Sequence, residues 1–177
     1  MSPRFVLRYR RAHCMEGAML AAAILEFNGH KPLVMDLRSV KPHDDDHVVA
    51  VFKQFGCFGA ISKTNHAVLR YREPIYKTIR ELALSYFHEY FLNNGKKTLR
   101  EYSEVFDLRR FDSSPLPMGE GRVRVDWRTS PKNLFKIPHH LDKIKHYKIL
   151  SPTQIKNLRL AEKIEINAGK ITEWKNK

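Results

Sequence analysis

The sequence predicts an α+β fold, and three patterns in it carry that prediction. Met15, Ala18, Met19, Ala22 and Leu25 recur at helical spacing. "HVVAVFK" and "CFGAIS" are short runs with a turn between them, the mark of a hairpin over 47–63. Ile75, Ile79, Leu82, Tyr86 and Tyr90 then form an apolar stripe at i, i+4 and i+7.

Taken in chain order, the first helix spans about 15–28, and Gly29 after Asn28 supplies its C-cap. Pro32 opens "PLVMDLRSV", a strand, and "PHDDDH" is the polar turn leading into the hairpin. Glu73-Pro74 starts a helix over 74–92, with Pro74 in the first turn where its missing N–H is not needed. Asn93-Asn94-Gly95 ends it, and 98–106 suits a short helix. From Asp107 to Ile137 the prolines and glycines leave little periodicity, so a long irregular stretch over the core is expected. Ser151-Pro152 is an N-cap and N1 pair for a final helical region reaching about Asn167.

Length and composition narrow the class. A chain of 177 residues with 42% hydrophobic residues can bury a core. No apolar run approaches the roughly 18 residues of a membrane span, and the first residues lack a secretory h-region. Two cysteines at unrelated positions give no disulfide framework, which points to a reducing, cytoplasmic setting. The net charge of +13 divides into +4 over residues 1–90 and +9 over 91–177. That balance attracts nucleic acid or acidic partners, although closely spaced glycines and aromatics of the RNA-stacking type are absent.

Cys14 stands at the mouth of the first helix. A thiol nucleophile needs a lowered pKa, which a helix N-terminus favours, and a histidine base held by a third group. Unpaired N–H groups at the helix start suit an oxyanion, and Gly17, Ala18, Ala21 and Ala22 let the helix lie close to a sheet. Among nine histidines, His47 is the strongest candidate base, because it sits where an acidic turn becomes an apolar strand. His13, His30 and His43 compete with it. Carboxylates beside His47 are expected to raise its pKa and favour an ion pair with the thiolate.

"HCMEGAMLAAAILEFNGHKPLVMDL", "DDDHVVAVF" and "GCFGAISKTN" together resemble the bacterial transglutaminase-like superfamily over about residues 10–65. A looser likeness runs through "YREPIYKTIRELALSYFHEYF". The resemblance implies a papain-like core over 1–106, with the Cys-bearing helix packed on a small antiparallel sheet. Residues 107–177 would then be a basic, partly irregular extension packed on that core. It implies a cysteine-dependent hydrolase or acyltransferase working on an amide of a protein or peptide, without cofactor or metal. Cys14 would be the nucleophile and His47 the general base. Where the family has Asp on the third strand, this chain offers Ser62, 15 residues after His47, or Asn65. An even hairpin loop puts Ser62 and Thr64 on the face of His47; an odd loop puts Lys63 and Asn65 there. Asn is the better acceptor for an imidazole N–H, so Asn65 is the expected orienter. Only 13 residues precede Cys14, so an open or incomplete cleft is expected.

Two other classes compete. His43, Asp44, Asp45, Asp46 and His47 form a dense ligand run, but without the separated pairs of a structural zinc site. A weakened site would instead make the chain a scaffold that binds nucleic acid or an acidic partner through "KKTLREY", "RVRVDWR" and "KIKHYK". His139, His140, Trp127 and Trp174 read as ordinary loop and packing residues.

Overall fold

The computed structural model describes residues 1–41, 44–64, 66–112, 126–131 and 133–170. Helices α1 (Pro3–Tyr9) and α2 (Cys14–Phe27) come first, then strands β1 (Leu33–Arg38), β2 (His47–Gln54) and β3 (Cys57–Ile61). Strand β4 (Tyr71–Tyr76), helix α3 (Ile79–Leu84), and strands β5 (Glu101–Ser103) and β6 (Phe106–Asp107) follow. Helix α4 (Lys136–Lys143), strand β7 (His146–Lys148), and helices α5 (Pro152–Lys156) and α6 (Lys163–Gly169) complete the order. The α+β class is as the sequence predicts. The strands form one antiparallel sheet ordered β4-β3-β2-β1-β5-β7, with β6 also pairing β1.

Both faces of this sheet are covered, so its central strands lack the apolar/polar alternation of a half-exposed sheet. On one face Val34, Val48, Ala50 and Phe52 pack with Ala18, Met19, Ala22 and Leu25 of α2. On the other, Met35, Leu37, Val49 and Val51 pack with Leu82 and Ala83 of α3 and with Tyr86, Phe87 and Tyr90. The chain beyond Asp107 joins both layers. Trp127, Ile137 and Leu141 share the α2 side, and β7 extends the sheet from β5. Among the described residues no helix is long and apolar enough to cross a membrane.

The first helix and the hairpin fall where the sequence predicts. Three other elements do not. The helix expected over 74–92 is replaced at its start by β4, an edge strand whose residues alternate in exposure. An edge tolerates Pro74, because the outward side of the strand needs no donor. Helix begins only at a capping box: Thr78 Oγ1 accepts from the Glu81 N–H, and the Glu81 carboxylate accepts from the Thr78 N–H. The short helix expected over 98–106 is instead β5 and β6, because pairing with β1 and β7 overrides local preference. The final helical region starts at the expected Ser151 cap but breaks into α5 and α6.

Candidate active site

Cys14 is the first residue of α2, and Gly17 one turn on explains how the helix comes so near the sheet. A Cβ on Gly17 would overlap Lys63 Cβ, and the Lys63 Cα would lie 3.5 Å from it. The thiol therefore reaches the start of β2, where Sγ donates to the Asp46 carbonyl at 3.9 Å. The Val48 N–H also faces the sulfur. These two backbone groups flank His47.

The hairpin loop is Phe55–Gly56, two residues long, since Gln54 pairs with Cys57. Both have positive φ, 53° and 76°, as a type I′ turn requires. This even loop extends the register so that Ser62 and Thr64 share the His47 face. His47 Nε2 hydrogen-bonds Ser62 Oγ, and Ser62 is buried. The residue that holds the imidazole is thus Ser62. Asn65, the expected orienter, lies outside the described residues, as does His43.

The acidic turn is tied down by contacts of its own. Asp44 accepts from Thr98 Oγ1. The Asp45 carbonyl accepts from Tyr90 Oη at 2.6 Å. Asp46 accepts from the Ser39 N–H at 2.9 Å and pairs with Lys41 Nζ at 2.8 Å. With those carboxylates engaged, burial pulls the His47 ring down to about 4, and the His66 and Lys63 charges add to the effect. The expected upward shift is therefore reversed. Burial likewise pushes the Cys14 thiol up, against the pull of the Val48 and Met15 N–H groups, and Asp36 and Glu16 add to the rise. At neutral pH the resting pair is a neutral thiol and a neutral imidazole, not an ion pair. Among the described residues no hydrogen bond joins Sγ to the ring.

His47 opens onto a cavity of about 150 Å³ lined also by Thr64, His66, Tyr90 and Phe91. One wall is the end of α6, where the Gly169 carbonyl accepts from His66 Nδ1 at 2.7 Å. The competing histidines sit elsewhere. His13 is the N-cap of α2 and gives its backbone N–H to Glu16 at 2.7 Å, while His30 packs edge-on to Phe52. Trp127 is a buried packing residue, His140 lies in α4 against Phe106, and Trp174 lies outside the described residues.

The sequence reading missed a second polar pair. Asp36 of β1 and His146 of β7 meet at 3.1 Å with side chains 4% and 5% exposed. His146 Nδ1 donates to the Ile144 carbonyl at 2.8 Å, so the Nε2–Oδ2 contact needs a further proton shared by the pair. Burial raises the Asp36 carboxyl accordingly. A lone Asp inside "LVMDLR" was the available signal, since a charge in a doubly buried strand needs a partner. The carboxylates of Asp36, Asp46 and Asp142 converge within 4.8 Å of one another; His146 pairs with Asp36 and Lys41 with Asp46. No protein-family model matches the chain, and no curated protein matches its sequence.

Proposed function

We propose that the chain catalyses cysteine-dependent acyl transfer on an amide, in the manner of a transglutaminase-like peptidase, deamidase or transamidase. The observation that carries this reading is the seat of the thiol: Cys14 Sγ lies against the backbone groups of Asp46 and Val48, on either side of His47. With Nε2 engaged by Ser62, Nδ1 is the nitrogen left to serve the thiol. In this reading the thiol leaves the Asp46 carbonyl to meet that nitrogen when substrate binds.

In this mechanism His47 takes the S–H proton as sulfur attacks the amide carbon, because neither group is charged beforehand. The first N–H groups of α2 face the developing oxyanion. Collapse of the tetrahedral adduct breaks the C–N bond, and imidazolium gives its proton to the departing amine. Water or a second amine then attacks the thioester, with His47 again as base. Ser62 holds the ring without a charge to stabilise imidazolium, so turnover is slow relative to a site with Asp there.

The alternative is a non-catalytic transglutaminase-like scaffold that binds nucleic acid or an acidic partner. The thiol bonded to a carbonyl and the depressed His47 favour it. Acylation by p-nitrophenyl acetate separates the two. The catalytic reading expects a burst of nitrophenolate with an acetyl group on Cys14, absent in Cys14→Ser and slowed about 10²- to 10⁴-fold in His47→Ala. Equal acylation of Cys14 in wild type and His47→Ala overturns the catalytic reading.

A further inference from the structure

Helix α2 is apolar on almost every side, since only Glu16 and Glu26 are charged between Cys14 and Phe27. A helix of that composition is ordinarily enclosed. Here its inner stripe meets the sheet, while Ile24 and Phe27 are 53% and 92% exposed. Helix α1 shields only part of the outer side and leaves its own Leu7 64% exposed. Between the two helices lie adjoining hollows of about 280 and 500 Å³ that share Leu20 and Ile24. Their rim is cationic. Arg4, Arg10 and Arg11 line it, and among the described residues no carboxylate pairs with any of the three.

We propose that this trough is the docking site for an acidic amphipathic helix of a partner protein, independently of the acyl-transfer reading. Aliphatic anchors at i, i+4 and i+7 would enter between α1 and α2, and Glu or Asp on the flanks would meet Arg4, Arg10 and Arg11. The two hollows lie end to end along α1 and α2, sharing Leu20 and Ile24, which suits an elongated helical ligand. The basic rim and the net charge of +13 oppose a second copy of the chain. Its apolar lining is aliphatic apart from Phe27, so it offers no row of rings on which bases would stack.

Fluorescence anisotropy with the full chain tests this, using a labelled helical peptide with leucines on one face and glutamates elsewhere. A twin with lysine for glutamate is the control. The acidic peptide is expected to bind at least about tenfold tighter than its twin, the effect of about 1.4 kcal/mol in complementary charge. Ile24→Glu, at an exposed helical position, should weaken it at least about tenfold with the thermal midpoint nearly unchanged. Arg11→Glu on its own should weaken it and flatten its salt dependence, which keeps the test decisive if Ile24→Glu fails to fold. Equal binding of the twins, or no binding, overturns the proposal. So does a dimer that Ile24→Glu abolishes, or partition onto phosphatidylserine vesicles without peptide binding.

Discussion

Ser62 decides what His47 can do. A hydroxyl can orient the imidazole but adds no negative charge, so burial and the neighbouring His66 and Lys63 charges set the ring near 4. Ser62→Asp is expected to move the His47 pKa upward, read from its ring-proton shifts, and to speed acylation of Cys14. Ser62→Asn, which holds the ring without charge, should leave the pKa low. The same depressed ring shapes stability. Between about 4 and the ordinary 6.5 the unfolded chain binds a proton that the folded chain refuses. Stability therefore rises with pH through that window and levels off above it, by up to about 3 kcal/mol. Denaturant titrations at pH 4.5 and 7 should show that difference shrink in His47→Gln by about this contribution.

At the scale of elements, two turns of chain geometry set the site. Gly17 admits α2 to the Lys63 backbone, so Gly17→Ala should destabilise the fold although alanine is the better helix former by about 1 kcal/mol. A higher melting temperature for Gly17→Ala would show that the approach is not tight. Phe55 occupies a left-handed position and is 85% exposed, where asparagine is better suited. Phe55→Asn is expected to stabilise the hairpin by roughly 0.5–1 kcal/mol, measured by chemical denaturation. These elements were legible in the sequence because their signals are local: helical spacing for α2, and a short apolar pair around Phe55–Gly56 for the hairpin. Hairpin parity pointed to Ser62, which holds His47 Nε2, while chemical preference for an amide acceptor pointed to Asn65, which lies outside the described residues. Strands β4 to β7 were not legible, because each is made by pairing with distant chain. The Asp36–His146 pair depends on β7 and was hidden with it.

The whole molecule is organised by one sheet with helices on both faces, and the candidate site lies at the start of β2. The segment after Asp107 is integral to this plan. Arg128 joins Glu26 at the end of α2 to Asp112 and Asp126, with contacts of 2.6, 2.9 and 2.9 Å, and lies over the Trp127 ring at 4.5 Å. Trp127, Ile137 and Leu141 are each no more than 2% exposed, and all three pack on the α2 side of the sheet. A chain ending at Asp112 would uncover that layer, strip β7 from β5 and leave Asp36 buried without His146. Such a loss exceeds the stability margin of an ordinary domain, about 5–15 kcal/mol. The truncated chain is therefore expected to show no cooperative thermal transition and to bind a hydrophobic dye. In the full chain carrying Trp174→Phe, Trp127 fluorescence and far-ultraviolet circular dichroism should report one coincident transition. A sharp melt for residues 1–112 would mean that the sheet and α2 are self-sufficient, and that the Trp127 layer is an accessory rather than part of what holds Cys14 at the start of β2.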